Sequence, residues 1–531
     1  MPYMDLGRIP EDILVEYQDT LPRFEEPGNR RAGEGVRFLK RTEGMEIVLD
    51  PAPQPIKRVR LRWNGDLSDV KLVLGDAWER SGDMVWTVPV AHKAMPWYFH
   101  TFDGKLLNSY GVMTGCNAMC FWQMDAHGIA LWLDVRCGGD GVILRESLPL
   151  ATVLARKGIP EETPFAAARA FCRAMCPAPV LPQGAIFGTN NWYWAYGEFT
   201  REQVLRDAAY TRDLAARAGQ APYAVIDDGW QAIRYKTASS YYNGGPWYAD
   251  SPCLGDMAEM ASAMAQLGVE PGLWYRPLLT VEKRAAGVPQ LQRPCEGEMP
   301  GVRLDPTHPD ALAMIEEDAH CIACWGFKLI KHDFSTADLV GDFTRQEGWH
   351  FWDRSQTTAQ VVKTLYRTIQ AAAGNALVIG CNTFNHLAAG IHAIQRSGDD
   401  TSGRSWEWTR RFGCNALMRL PQNNAFFRVD PDCAAFTEKV PADMNLLFLE
   451  ACALSGSVTL ASIAPGVLTA AQEREVQRIF AICARNDSFA EPLDWMQTSA
   501  PEHFRDARGK EYRFDWYKPY QGSRTYLNWF V

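Results

Sequence analysis

Two rhythms of apolar and polar positions divide this chain. Over residues 1–180 the runs are short and alternate, as at 59–63, 70–74 and 84–90, and they are broken by Asn64-Gly65, Gly75-Asp76 and Gly82-Asp83. That is the pattern of antiparallel strands joined by turns. Runs at 129–135 and 142–144, either side of a glycine-rich stretch at 138–141, continue it. The expectation is an antiparallel β-sandwich over residues 1–180, with a helix at 164–176 leading out of it. Its aromatic residues Trp63, Trp78, Trp86, Trp97, Phe121 and Trp122 are assigned to the core, and the sandwich to a structural role.

From residue 184 the rhythm changes to apolar runs that alternate with longer helical repeats. Strands are expected at 184–191, 223–228, 268–275, 326–333, 376–381, 392–396, 425–429 and 456–461. Helices are expected at 201–219, 257–267, 308–325, 357–373, 406–418, 441–454 and 470–486. Eight strands with crossover helices over residues 181–487 is an α/β (β/α)8 TIM barrel. Between the fifth and sixth strands there is little room for a helix. Residues 488–531 form a short C-terminal β-rich segment, with strands at 511–516 and 524–529.

In such a barrel the active site lies where the C-terminal ends of the strands meet. The fourth strand, Gly-Phe-Lys-Leu-Ile-Lys-His-Asp-Phe at 326–334, shows what those ends carry. Alternate side chains of a strand share a face, so Lys331 and Asp333 point one way and His332 the other, into the outer layer. The other strand ends supply Asn190, Asn191 and Trp192; Asp227 and Asp228; Trp274 and Arg276; Cys381 and Asn382; Arg396, Asp399 and Asp400; and Asp430 and Asp432. An isolated Lys-x-Asp is more often a structural ion pair. Seven carboxylates, two arginines, a lysine and two tryptophans at one mouth are hard to explain as structure alone.

Composition narrows the chemistry by exclusion. A net charge of -9 with no basic block argues against nucleic acid or an anionic membrane as partner. No apolar run is long enough to span a membrane, and the N-terminus lacks the basic and apolar regions of a secretory signal, so a cytoplasmic protein is expected. The 14 cysteines have no framework spacing and read as reduced, buried thiols. His320-Cys321-x-x-Cys324 reads as core cysteines within a helix rather than a metal site, since no second Cys-x-x-Cys completes one.

Carboxylates beside tryptophans, with few histidines, suit carbohydrate binding. No His-x-His or His-Glu-x-x-His pattern lies on these strands to support metal hydrolysis. Glycoside hydrolysis needs one ionised and one protonated carboxyl group. Lys331 favours the ionised form of Asp333, and Asp400 or Asp399 on a more distant strand qualifies as the other.

At this point the residues carry a resemblance. Asp-Asp-Gly-Trp-Gln at 227–231, Gly-Leu-Trp-Tyr-Arg-Pro at 272–277, Leu-Asp-Pro-Thr-His-Pro at 304–309, Lys-His-Asp-Phe at 331–334, Gly380-Cys381, Arg-Ser-Gly-Asp-Asp-Thr at 396–401 and Asp-Pro-Asp at 430–432 resemble, in this order, glycoside hydrolase family 36. The resemblance spans about 184–465, and the family's preceding β-sandwich agrees with the reading of the first third. It implies an exo-acting, retaining α-galactosidase working by double displacement, with no metal or organic cofactor. Asp333 falls on the family's nucleophile and Asp400 on its acid/base, with Asp399 the competitor for that register. Asp227 and Asp228 match the pair that grips the 4- and 6-hydroxyls. Lys331 and Arg396 match hydroxyl contacts near the reacting carbon, and Trp192 and Cys381 the pocket wall. Asn382 and Arg276 are assigned to substrate binding or its support, and Trp274 to core or sugar platform. Asp430 and Asp432 are read as loop braces, and Trp194, Trp247 and Trp406 as either leaving-group contacts or residues under loops.

Four alternatives share this pattern. Within the family stand an α-N-acetylgalactosaminidase and a galactosyl-transferring enzyme of the raffinose-synthase type. From other classes come a carbohydrate-binding protein without turnover and a metal-dependent hydrolase on the same barrel. The expected partner is an α-galactoside or related oligosaccharide, and a homo-oligomer is left open.

Overall fold

The computed structural model describes residues 3–18, 35–233, 235–236, 242–291, 301–341, 347–487 and 489–518. The N-terminal third folds into two antiparallel sheets. One orders its strands Asp12–Tyr17, Ile56–Asn64, Gly128–Asp134, Met119–Asp125 and Met95–Pro96. The other orders Val36–Lys40, Met45–Leu49, Leu148–Arg156, Leu107–Val112, Tyr98–Phe102 and Leu72–Gly75. Alternation is clearest in Ile56–Asn64, where Val59, Leu61 and Trp63 are buried and the arginines between them are only partly covered.

Local antiparallel hairpins form as expected, for example Met119–Asp125 with Gly128–Asp134, but not at every expected turn. Ile56–Asn64 and Leu72–Gly75 lie in separate sheets, so the turn at Asn64-Gly65 passes between layers instead of closing a hairpin. The runs at 84–90 and 142–144 form single bridges, Thr87 to Val73 and Val142 to Ile56, and are not strands.

Helix Pro164–Met175, capped by Thr163, leads out and packs on both Leu107–Val112 and the segment Leu417–Gln422. The second rhythm then builds a parallel barrel. Its strands are Phe187–Asn190, Tyr223–Ile226, Glu270–Tyr275, Leu329–His332, Leu377–Gly380, Ile394–Arg396, a split seventh strand Arg428–Asp430 and Cys433–Phe436, and Thr459–Ile463. Arg428–Asp430 pairs with the sixth strand and Cys433–Phe436 with the eighth. Two residues, Pro431 and Asp432, separate them, so chain continuity closes the barrel there, and Val458 N–H donates to Val429 O (2.9 Å) across the seam. The strands are buried on both faces, which is why they read as apolar runs.

The helices begin where capping chemistry places them. Thr200, Thr357 and Thr469 each form a reciprocal capping box, and Pro309 opens the helix Pro309–Cys324. The tight fifth crossover is met by a single turn, Asn385–Ala388. The helix expected at 406–418 is broken into Trp406–Trp408, a π-helical turn at Thr409–Gly413, and Cys414–Ala416. Gly188 sits at φ +145° in the first strand, and a Cβ there would lie 1.9 Å from Tyr223 O, so only glycine lets the first two strands approach. Among the described residues no helix is long and apolar enough to cross a membrane.

After the barrel comes a small antiparallel sheet of Glu491–Pro492, His503–Arg505 and Glu511–Arg513. The strand expected at 511–516 stops at Arg513, and the one expected at 524–529 lies outside the described residues. All described cysteines are free and most are buried, but Cys321 is half-buried and Cys324 exposed, its sulfur 3.3 Å from His320 Nε2. Those two are not core residues: they lie on the outward side of their helix.

The sandwich docks on the barrel through buried polar groups around residues 76–84. Arg419, with no exposed side-chain surface, donates from Nε to Asp76 Oδ1 (2.8 Å) and from Nη1 to Ser397 O (2.7 Å). Gln422 Nε2 donates to the other Asp76 oxygen (2.5 Å) and to Tyr98 Oη (2.7 Å). Asn415 holds both the N–H and the carbonyl of Met84. Removing one partner of a buried pair strands the other charge, at a cost of about 3–5 kcal/mol, whereas removing both costs less. Asp76→Ala should therefore lower thermal stability strongly, and Asp76→Leu combined with Arg419→Met should melt above the Asp76→Ala protein. A double variant less stable than Asp76→Ala in calorimetry would refute this account of the docking.

Candidate active site

A cavity of about 1040 Å³ opens at the C-terminal ends of the barrel strands. Of the residues expected at the mouth, Trp192, Asp227, Asp228, Trp274, Lys331, Asp333, Cys381, Asn382 and Asp400 line it. Each follows from strand register. Trp274 pairs with Lys331, and Lys331 with Ile379. Beyond the last paired residues, Asp333 N–H donates to Tyr275 O (2.9 Å) and Cys381 N–H to His332 O (2.8 Å), which carries the sheet spacing into the site.

Asp333 is the most thoroughly held group. Oδ2 accepts from Trp274 Nε1 (2.8 Å), and Oδ1 from Asn382 Nδ2 (2.6 Å), Asn382 N–H (3.2 Å) and Phe334 N–H (2.7 Å). Burial pushes this carboxyl up. The charges of Lys331 and Arg80 and the hydrogen bonds from Trp274 and Asn382 outweigh burial and hold it below the usual carboxylate value. Phe334, next in the chain, sits at φ +63° in the left-handed region, a conformation that costs a non-glycine residue about 1–3 kcal/mol and that neighbours must impose.

Arg276 accounts for part of that. It does not line the cavity, contrary to the expectation of a substrate contact. Its guanidinium pairs with Asp338 (2.7 and 2.8 Å) and lies over the Phe334 ring at 4.3 Å. A basic residue at a strand end looks the same in sequence whether it faces the cavity or a buried carboxylate behind it.

Lys331 lowers Asp333 through its charge, as expected, but its direct partner is another carboxylate. Its ammonium pairs with Asp227 Oδ2 (2.6 Å) rather than with Asp333. Burial opposes its charge, but Asp227, then Cys381 and Asp333, keep it firmly protonated. Asp227 also accepts from Asn190 Nδ2 (2.6 Å), and Asn191 Oδ1 accepts from the Asp227 N–H (2.8 Å). Gln231 Nε2 donates to Asp228 (2.7 Å). Burial and the nearby Asp333 push the Cys381 thiol up, so it is neutral in the wall.

At the sixth strand, Arg396 stands behind the wall with 1% of its side chain exposed, and binds Asp400 (3.1 Å) and Asp432 (3.0 Å). Asp399 likewise does not line the cavity. Arg396 ends its strand and is turned into its neighbours, not into the cavity where a ligand contact was expected, whereas Asp399 lies beyond the strand, bonds Arg80 and keeps 31% of its side chain exposed. Asp432, at φ +76°, accepts from Tyr193 Oη and from Thr401 N–H (2.8 Å) and ties the split seventh strand to the sixth. Asp430, which burial pushes up to about 6, accepts from the Asp432 N–H (2.9 Å). His332 is buried outside the barrel against Tyr366 and His392. Trp247 and Trp406 are buried too. Trp247 backs Trp274 with ring centroids 5.7 Å apart, and Trp406 packs on Trp516. Trp194 lines a separate surface hollow with Tyr196 and Arg404.

Most of the lining residues that sequence reasoning missed come from the sandwich, with Tyr193, Thr336 and Phe384 among those from the barrel. Trp78, Glu79, Arg80, His92, Phe121 and Trp132 line the same cavity as the barrel residues. Arg80, 8% exposed, donates from Nε to Asn382 Oδ1 (2.9 Å) and from Nη1 to Asp400 Oδ1 (2.8 Å) and to Asp399. Burial pushes the Asp400 carboxyl up, but Arg80, Arg396 and Lys331 together bring it down to about 2. Phe121 and Trp132 stack with centroids 6.0 Å apart and planes 11° off parallel, forming an aromatic step on the sandwich side. The assignment of Trp78 and Phe121 to core alone does not hold, since both reach the cavity. Among the described residues no group of three or more His, Cys, Asp or Glu side chains is arranged to hold a metal ion.

No protein-family model matches this chain, and no curated protein does. Solved structures do. An α-galactosidase of Thermus thermophilus, in complex with p-nitrophenyl α-D-galactopyranoside, superposes with a TM-score of 0.59 at 15% identity, over 90% of this chain and 98% of that one. The same enzyme in complex with stachyose gives 0.57 at 15%, over 84% and 99%. A family 36 α-galactosidase of Geobacillus stearothermophilus gives 0.54 at 13%, over 85% and 67%. The fold, sandwich followed by barrel, is the fold of these enzymes.

The charge balance around Asp333 is directly measurable. With Lys331 replaced by Met, the carboxyl loses its largest stabilising charge and its pKa should rise, by about 1–3 units. A lowered folded-state pKa contributes stability at neutral pH that is lost as pH falls through it, so Lys331→Met should be less stable than the parent at neutral pH, with the difference shrinking as pH falls below the carboxylate range. Titration of 13C-labelled aspartates, with Asp333→Asn for assignment, reads the shift; an unmoved Asp333 resonance would refute the stated cause.

Proposed function

We propose that this chain is an exo-acting, retaining α-galactosidase that releases terminal α-linked galactose by double displacement. The observation that carries this reading is the connected pair of carboxylates. Asp333 accepts from Asn382, Asn382 accepts from Arg80, and Arg80 donates to Asp400, so three hydrogen bonds join two acids at one cavity. Both are held ionised, and they differ in exposure. Asp333 is fully enclosed by donors and held ionised, whereas the Asp400 side chain is 40% exposed toward the cavity.

In the first step an Asp333 oxygen attacks the anomeric carbon. The C–O bond to the leaving group breaks with its electrons on oxygen, and Asp400 delivers a proton there. In the second step Asp400 takes a proton from water, which attacks the same carbon and releases Asp333. Trp274 and Asn382 hold the Asp333 oxygens in place for attack. Asp227 and Asp228, fixed by Lys331, Asn190 and Gln231, accept from the hydroxyls of the sugar. The neutral Cys381 and the Trp192 ring complete the wall against its carbon face.

The cavity is at the upper end of the roughly 300–1,000 Å³ range of small-molecule sites, which leaves room beyond one hexose for a leaving group against Phe121 and Trp132. A binding protein without turnover has no need for an opposed pair of acids, and that weighs for the hydrolase.

A panel of nitrophenyl α- and β-galactosides, α-N-acetylgalactosaminide and α-glucoside tests the reading. Release is expected from the α-galactoside. Asp333→Asn should lose at least about 10³-fold in kcat while calorimetry finds galactose bound within about threefold of the parent affinity. Preference for the N-acetylated sugar would overturn the assignment at C2, and binding without turnover of any α-galactoside would overturn the enzyme. Activity is expected to survive chelation by EDTA; its loss would favour a metal-dependent hydrolase. Trp132→Ala should lower kcat/KM for a galactosyl trisaccharide about tenfold, from the lost aromatic contact, and leave α-galactosyl fluoride within about twofold. Equal loss on both would place Trp132 outside leaving-group recognition.

A further inference from the structure

The acid of this mechanism poses a problem that the geometry resolves. Asp400 lies against two guanidinium groups and carries a charge at any ordinary pH, yet in the proposed mechanism its first task is to donate a proton. Of the two arginines, Arg396 is the fixed one. It is enclosed, bonded to Cys381 Sγ, Gly398 O and Asp432 as well as to Asp400, and has no other place to go. Arg80 differs. It arrives from the sandwich on the segment 76–84, whose ends are anchored by Asp76 and Met84, and its guanidinium already has a second carboxylate, Asp399, one residue before Asp400.

Resting on the proposed hydrolase, we propose that Arg80 is a positioning residue that governs the protonation of Asp400: it holds that carboxylate in the empty site and retreats to Asp399 and Asn382 when a leaving-group oxygen takes its place. The double acid at 399–400 then has a division of labour. Asp400 does the proton transfer, and Asp399 keeps the displaced cation satisfied so that it is not driven into the sugar. Once Arg80 has withdrawn, Asp400 takes a proton from solvent; that proton passes to the leaving oxygen as the C–O bond breaks and the bond to Asp333 forms. Arg80 also bonds Asn382, which in turn bonds Asp333, so its movement away from Asp400 leaves the attacking group in place.

The groups facing Asp400 are Arg80 from the sandwich, Lys331 from the fourth strand, Arg396, Asp399 and Asp432 around the sixth and seventh, and Tyr193 and Tyr196 after the first. Replacing Arg80 with Met removes one cation and leaves the rest. The expected result is a rise of about 1–3 units in the Asp400 pKa, read from 13C-labelled aspartates with Asp400→Asn for assignment. This titration needs no turnover, so it stands even if the panel above finds no activity; an unmoved Asp400 would overturn the inference.

In an active enzyme the pH–rate profile gives a second reading, with an alkyl α-galactoside whose poor leaving group depends on acid assistance. The basic limb of kcat/KM reports the free enzyme and that of kcat the complex. In Arg80→Met the kcat/KM limb should move up by at least one pH unit while the kcat limb moves much less, because in the complex Arg80 has already left Asp400. In Asp399→Asn, Arg80 loses its alternative anion and the kcat/KM limb should move down. Arg80→Lys keeps the charge and should return the limb toward the parent position, with its melting temperature serving as the control for folding. A merely structural Arg80 would lower kcat at every pH and move neither limb, and that outcome would overturn the proposal.

Discussion

Charge taken out of water must be matched, and the barrel mouth is arranged around that demand. Lys331 is satisfied by Asp227, Arg276 by Asp338, Arg396 by Asp400 and Asp432, and Arg80 by Asp399 and Asp400. Removing any one of these groups leaves a partner uncompensated in a poorly solvated place. The compensation also explains which groups are free to react. Asp333 is held by neutral donors and by more distant charge rather than by a direct ion pair, so its oxygens are oriented without being capped by a cation.

This charge network spans two domains, and that gives the sandwich more than a supporting place. The Asp76–Arg419 pair and the Asn415 bonds to Met84 fix both ends of the segment that carries Trp78, Glu79 and Arg80 into the cavity. The sheet behind that segment presents Phe121 and Trp132 to the same space. The acids of the cavity come from the barrel, whereas its aromatic step comes from the sandwich.

The split seventh strand shows how backbone and charge cooperate. Pro431 supplies no N–H, and Asp432 takes a left-handed φ, so pairing stops for two residues and resumes on the other neighbour. The Asp432 side chain receives Tyr193, Thr401 and Arg396 at the point where the ladder is interrupted. A loop brace was legible in Asp-Pro-Asp, but its part in closing the barrel was not, since that depends on which strands stand either side.

The sequence by itself determined the order of sandwich and barrel, the eight barrel strands and the side chains at their ends. Buried parallel strands must be apolar along their length, so the first polar residue after each run marks a strand end, and alternation decides which neighbours share a face. That reasoning reached Asp227 and Asp333 from local pattern alone and left Asp399 and Asp400 open, a choice that only the resemblance to family 36 made. Only the tertiary structure decided the pairings. Arg276 and Lys331 look alike as basic residues at strand ends, but one meets Asp338 behind the wall and the other Asp227 inside it. Arg80 is 320 positions from Asp400 and sits in a loop with no periodicity, so nothing local distinguishes it from a surface arginine. Periodicity records which face of an element is buried. It carries no record of what lies across the gap, because electrostatic partners are chosen by distance in space and not by separation along the chain.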